Sequence, residues 1–134
     1  MYKVLNNIKL SQNFHIKEFV CKEGKGEVLI AEGLIEKLQA LRNYLNRPII
    51  ITSGYRSPAY NKKIKGSPKS QHIHGRAVDI KVPGVAAEDV GRASIKLGFK
   101  GIGIYDTFTH LDIRENLVNK VGRNYDYWDM RTGK

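Results

Sequence analysis

SQHIHGRAVD, at residues 70–79, sets His72 and Asp79 seven positions apart around Gly75 and the small Ala77. Downstream, FTHLDIR at residues 108–114 adds His110. Two imidazoles and a carboxylate suit an open, catalytic zinc site whose fourth position is left to water, whereas structural zinc is closed by four ligands, mostly Cys. The chain has one cysteine, which excludes a closed thiolate site. Two neutral imidazoles and one carboxylate leave a bound dication net positive, the condition under which it acidifies water and polarises a carbonyl. The pattern points to hydrolysis.

The flanking segments say how such a set is presented. Residues 76–82 read as a strand with Ala77 and Asp79 on one face and Val78 and Ile80 turned to the core. GIGIY at 101–105 and FTHLDIR read as two strands joined by a turn at Asp106 and Thr107. In the second, Phe108, His110 and Asp112 share a face, and Leu111 and Ile113 take the other. PIIIT at 48–52 is β-branched and almost wholly apolar, as a strand buried on both faces would be. Asp79 is thus offered by a rigid element, and His72 approaches from the loop before it. Gly75 lets the backbone turn between them without a Cβ clash, so the set would come from two adjacent strands.

Helices complete the map. Leu34, Ile35, Leu38, Leu41 and Leu45 fall at helical spacing within residues 31–46. Residues 88–97 read as a second helix stopped at Gly98, and residues 16–20 as a helical turn. Ser57 can cap a short helix that has Pro58 at its first position. KKIKGSPKS at 62–70 is a basic loop, and the tail to residue 134 is polar apart from Tyr125, Tyr127 and Trp128. The expected architecture is α+β: one domain over residues 1–134, with a small, mainly antiparallel sheet carrying the metal site and helices packed against it. A chain of 134 residues is long enough to bury about two thirds of the surface its unfolded form exposes.

Other residues narrow the chemistry. His72 and His74 form a His-x-His pair that could itself chelate a metal if both lay on one strand face; the spacing to Asp79 across Gly75 favours His72. His15 reads as a surface or hydrogen-bonded structural residue. Cys21, with no imidazole neighbourhood in the sequence, reads as a free structural thiol, and folding calls for no oxidising compartment.

A net charge of +10, with Lys62, Lys63, Lys65, Lys69, Arg76, Lys81 and Lys100 among its sources, favours polyanions. Nucleic acid is one such partner and an anionic bacterial cell wall another, while a solvated basic face is the plain alternative. No nucleic-acid motif or aromatic platform accompanies the basic residues, so no specific nucleic acid is expected. MYKVLNNIKLSQNF at the start lacks the apolar core of a signal peptide, and no stretch reaches transmembrane length. The expectation is synthesis in the cytoplasm without a signal peptide, no membrane insertion, a monomeric chain, and release by another route if the substrate lies outside.

SQHIHGRAVD matches the S-x-H-x-x-G-x-A-x-D signature of the zinc D-alanyl-D-alanine metallopeptidases, peptidoglycan carboxypeptidases and endopeptidases of the Hedgehog-like zinc peptidase fold. ITSGYRSPAYN at 51–61 resembles that family's SGYR segment, and THLD at 109–112 its H-x-D segment. The similarity also takes in residues 17–45, so it covers roughly residues 10–115. The resemblance implies zinc as cofactor and His72, Asp79 and His110 as its ligands. It implies that Arg56 contacts substrate or stabilises a developing oxyanion, a task suited to a forked, permanently charged guanidinium, and that Ser70 hydrogen-bonds near the metal.

The implied reaction is hydrolysis of peptidoglycan stem or cross-link peptides, as a D,D-carboxypeptidase or endopeptidase or as an L-alanyl-D-glutamate endopeptidase. A basic catalytic domain of this kind resembles an endolysin or a wall-remodelling enzyme acting on the anionic cell wall after release. The match departs from the family at the proton acceptor. Many relatives carry Glu or Asp three residues before the last zinc His, or His two before it, and this chain has Thr107 and Phe108 there. Asp112, on the strand face of His110, is the first choice for the catalytic base, with Asp106 and His74 behind it. Asp112 is equally placed to orient an imidazole ligand. The missing upstream base leaves open a non-catalytic, zinc-stabilised wall-binding module of the same fold.

Overall fold

Alternation along the strands builds the sheet that carries the site. The computed structural model describes residues 2–3, 6–24, 26–115 and 122–133. Along the chain the strands are β1 (Tyr2–Lys3), β2 (Lys9–Ser11), β3 (Phe14–His15), β4 (Glu27–Val28), β5 (Ile50–Ser53), β6 (Ala77–Lys81), β7 (Gly101–Ile104), β8 (Thr109–Asp112) and β9 (Asp126–Asp129). The helices are α1 (Leu34–Leu45), α2 (Pro58–Lys63) and α3 (Ala87–Lys96), with single 3₁₀ turns at Ile16–Phe19 and Gln71–His74. Strands β1 with β4 and β2 with β3 form two small ladders, and the remaining five form one sheet in the order β5-β6-β8-β7-β9. All its pairings are antiparallel except β7 with β9.

Register sorts that sheet into two faces. Ser53, Asp79, His110, Gly103 and Trp128 are successive cross-strand partners, one residue from each strand. Partners in register share a face, so these five make one row across the sheet. Ala77, Asp112, Gly101 and Asp126 make the next row on the same side. On the opposite face Val78, Ile80, Ile102, Ile104 and Leu111 are buried in the core with Leu34, Leu38 and Leu41 of α1 and Val90 and Ala93 of α3. Each such Val, Leu or Ile side chain contributes roughly 1.5–3 kcal/mol by leaving water. The pattern GIGI in β7 therefore has a simple meaning: isoleucines face the core and glycines face the site.

The expected α+β architecture is the one found, with α1 and α3 close to the spans read from periodicity. Ser57 caps α2 as its spacing predicts, its hydroxyl accepting from the Tyr60 amide at 3.1 Å, with Pro58 next in line. Cys21 is a buried free thiol, and His15 sits on β3. No helix among the described residues is long and apolar enough to cross a membrane.

One expectation is corrected, and one span gains an element. PIIIT is not buried on both faces: it supplies β5, at one edge of the sheet, where Ile49 is 8 % exposed and Ile50 49 %. A short apolar run does not encode how many of its sides will be covered; β6, with Ala77, Val78, Asp79 and Ile80 all buried, and β7, buried throughout, are covered on both. The tail, read as polar apart from Tyr125, Tyr127 and Trp128, contributes β9, which pairs in parallel with β7 and closes the other edge. Residues 116–121 and 134 of that tail lie outside the described residues.

Candidate metal centre

The segment before β6 presents His72 through its backbone. Ser70 accepts a hydrogen bond from the His72 amide at 3.2 Å and so caps the 3₁₀ turn Gln71–His74. Gly75 ends the turn at φ +67°, pressed against the Leu29 carbonyl so closely that a Cβ would overlap it, while its own carbonyl accepts from the Ala31 amide at 2.9 Å. The Gly75 expected from sequence thus serves both as a left-handed turn and as a point of close approach.

Three side chains meet at the head of the site row. His72 Nε2 lies 3.2 Å and His110 Nδ1 3.1 Å from the same atom, Asp79 Oδ1. The other nitrogen of each ring fixes its tautomer. His72 Nδ1 donates to the Gly54 carbonyl at 2.7 Å, and a carbonyl can only accept. His110 Nε2 is 2.7 Å from Asp112 Oδ2, a carboxylate that Arg114 and His110 keep ionised against the effect of burial. Both lone pairs therefore point at a carboxylate oxygen, an arrangement of three acceptors that calls for a cation between them.

His72, Asp79 and His110 are also the one His, Cys, Asp and Glu group among the described residues whose ligand atoms converge, all within 4.8 Å of one another. Tetrahedral ligands about 2.0–2.1 Å from zinc stand roughly 3.3 Å apart, close to the 3.1 and 3.2 Å seen here. The donor set fits a metal.

Charge is concentrated at the same point. Burial by itself would raise the Asp79 carboxyl, but hydrogen bonds with His110 and then His72 outweigh it and hold the group well below the usual carboxylate range. Burial opposes protonation of His110, yet its bonds to Asp112 and then Asp79 prevail and raise its pKa. In the metal-free site these bonds let His110 bind a proton more readily than a free imidazole does.

Arg56 grips the second oxygen of Asp79: Nη2 donates to Oδ2 at 3.2 Å, Nε to Ser53 Oγ at 3.3 Å and Nη1 to Asn61 Oδ1 at 3.4 Å. Arg56 still lines the cleft over the site, about 560 Å³ in volume, together with Gln71, Tyr105, Phe108, Arg114 and Trp128. Ser70 and the exposed Lys69 lie at the same cleft.

The three candidates for the base stand apart from that cleft. Asp112 is wholly buried behind His110, and its carboxylate is forked by Arg114, with Nε on Oδ1 at 2.8 Å and Nη2 on Oδ2 at 2.7 Å. Its depressed pKa, which burial alone would raise, follows from Arg114 first and His110 next. That is the geometry of a carboxylate that orients an imidazole, with no open face for a proton from the cleft. Asp106 is exposed and accepts from the Thr132 amide and hydroxyl at 3.1 and 3.0 Å. The His74 side chain is exposed and outside the converging group.

Cleft residues that sequence alone did not assign to the site include Gln71, Arg114, Tyr105 and Trp128. Trp128 comes from β9 and leans over β7 to lie 5.5 Å from the His110 ring, with Arg114 5.3 Å from its own ring. Its Nε1 donates to Tyr105 Oη at 2.9 Å. The glycines of β7 make this possible, since a Cβ on Gly103 would overlap the indole and one on Gly101 the Asp112 carboxylate. The available signal was GIGI beside DYWD, two alternating runs whose small and aromatic members complement each other.

An α+β domain that gathers two imidazoles and a buried carboxylate in an open cleft is built as a metallopeptidase is. Residues 12–112 match the Peptidase M15 family, and the chain belongs to it. It is 30% identical over 92 residues to the peptidoglycan L,D-endopeptidase MepK of Escherichia coli strain K12, a match covering 62% of this chain and 50% of that protein. The Shigella flexneri protein of the same name matches over the same shares. The chain spans about half the length of the curated relatives it matches. His72, Asp79, His110, Arg56 and Asp112 all fall inside the matched family segment.

Proposed function

We propose that the protein is a zinc-dependent endopeptidase of peptidoglycan stem or cross-link peptides. The observation that carries this reading is the convergence of two tautomerically fixed imidazole nitrogens on one oxygen of Asp79. A zinc ion held by His72, Asp79 and His110 supplies Lewis acidity toward a peptide carbonyl and a water made acidic enough to attack it. Asp112 holds His110 in the tautomer that leaves Nδ1 free, and Arg114 holds Asp112. Arg56 fixes Asp79 and turns a cationic edge toward the cleft, where it favours a carbonyl oxygen gaining negative charge. Gln71 also lines the cleft, and its Oε1 is buried without a partner among the described residues.

The peptidoglycan substrate and the L,D-endopeptidase type come from the names of the relatives, and they favour internal cleavage over carboxypeptidase trimming. The exposed Lys62, Lys63, Lys65 and Lys69 add attraction to an anionic wall reached after release, an effect that salt weakens. Purified peptidoglycan digested with the zinc-loaded and the chelated protein, and read by mass spectrometry, tests activity, metal need and the bond cut together. Release of peptides by the loaded protein alone is expected. No release with zinc fully bound would instead support the non-catalytic wall-binding module.

A further inference from the structure

We infer that Tyr105 is a catalytic residue of this site, donating its phenolic hydrogen bond to the substrate carbonyl oxygen as that oxygen becomes an oxyanion; the inference rests on the hydrolytic reading above. Hydrogen-bond bookkeeping leads to it. An indole N–H can only donate, so in the 2.9 Å contact from Trp128 Nε1 the Tyr105 oxygen is the acceptor. The hydroxyl proton is then directed elsewhere, and no acceptor for it exists among the described residues. Tyr105 lines the cleft that holds His72, Asp79 and His110.

Several other donors in that cleft already serve protein acceptors. Arg56 is engaged by Ser53, Asn61 and Asp79, and Arg114 by Asp112 and Asp126. The Trp128 N–H is spent on Tyr105 itself. Tyr105 offers an uncommitted hydroxyl proton from a side chain that ring stacking and an accepted hydrogen bond hold in place.

Its position is rigid. The phenol ring stacks on Phe108 with centroids 4.5 Å apart and planes 9° from parallel. Its backbone amide donates to the Phe108 carbonyl at 3.0 Å, closing the turn between β7 and β8. On the far side Trp128 packs against the His110 ring, which ties the hydroxyl to the imidazole that borders the reacting centre. Preorganised donors of this sort act mainly where charge develops in the transition state, and removing one costs on the order of 10²-fold or more in kcat.

The test is Tyr105→Phe, which keeps the stacked ring and removes only the hydroxyl, assayed with the zinc-loaded full chain on a peptidoglycan stem peptide. The expected result is a fall in kcat of about 10²-fold with KM within about twofold and zinc content unchanged. A phosphinate peptide analogue, which mimics the tetrahedral oxyanion, should lose affinity by a similar factor, while an uncleaved product peptide should bind as before. Trp128 is the one tryptophan of the chain, so its indole N–H gives a single amide-type NMR signal. That signal should move upfield in Tyr105→Phe as the hydrogen bond is lost.

Trp128→Phe, which withdraws the positioning N–H and keeps an aromatic ring, should lower kcat less than Tyr105→Phe does. An active parent whose Tyr105→Phe variant retains kcat within about threefold overturns the inference and leaves the hydrolytic reading standing. A parent inactive with zinc fully bound overturns both. Equal loss of phosphinate and product-peptide affinity shows a ground-state contact and overturns the catalytic role alone.

Discussion

The two imidazoles of the centre are held by opposite means. His72 is placed by backbone: a capped 3₁₀ turn, the Gly54 carbonyl behind Nδ1, and Gly75 wedged against Leu29. His110 is placed by a sheet and by charge: cross-strand partners on both sides, with Asp112 and then Arg114 behind Nε2. A carbonyl and a carboxylate both fix a tautomer, and the ionised carboxylate adds a charge that makes the ring a stronger base and a stronger ligand. One half of the site is thus set by chain geometry and the other by an electrostatic chain that side-chain substitutions can cut.

The largest effect should come where the halves meet. Asp79→Asn removes the charge on which both imidazoles and Arg56 converge, and it should abolish zinc retention and peptide hydrolysis together, read by metal analysis and by chromatography of digested peptidoglycan. Retained stoichiometric zinc would separate the halves and refute their dependence on Asp79.

Cutting the charged half alone comes next. Asp112→Ala should weaken zinc binding by about 10- to 100-fold, measured by competition with a chelating dye, with kcat at saturating zinc recovering much of the parent value. If Asp112 instead accepted the proton of the attacking water, kcat would stay low at saturating zinc. On the backbone side Ser70→Ala removes a cap and should cost about 1 kcal/mol of stability, with a smaller change in zinc affinity than Asp112→Ala gives.

The glycines of β7 sharpen the sheet half. Gly103→Ala should displace the indole from His110, and Gly101→Ala should push on Asp112. Overpacking of this kind costs typically 1–3 kcal/mol, and denaturant unfolding would show it. The Gly103 variant should also lose the Trp128 signal described above, while the Gly101 variant should keep it.

The smallest effect is the pH dependence of the metal-free protein. The raised His110 pKa contributes stability that is fully present below the ordinary imidazole value of about 6.5 and is lost as pH rises through the folded-state value. The depressed Asp79 and Asp112 contribute stability present above the ordinary carboxylate range of about 4 and lost as pH falls toward their folded-state values. The Tm of the metal-free protein should therefore decline from mildly acidic to alkaline pH. The added stabilisation by zinc should grow over the same range, because its ligands must be deprotonated. A metal-free Tm that is flat across that range would show that His110 is not charged by its two carboxylates.

Much of this contrast was already legible in the sequence. SQHIHGRAVD and THLD carry the three converging groups, because His, Asp and Gly at those spacings are chemically distinctive and each sits on a short segment whose face is set by alternation. The leucines of α1 and the capped start of α2 follow from local periodicity and capping. Three things were not legible for one reason. PIIIT reads the same at an edge as in the middle of a sheet. DYWD cannot announce a parallel partner some 25 positions upstream. The role of Asp112 depends on which ring nitrogen and which arginine it meets.

The sequence by itself thus determined the donor types, their order and the strands that carry two of them, since these depend on residue chemistry and short-range geometry. Only the tertiary structure decided that Trp128 and Tyr105 belong to the site, that β5 lies at an edge, and that Asp112 stands behind His110 rather than facing the cleft. Those facts arise from register between strands distant in the chain, and register is settled by the packing of the whole sheet against its helices.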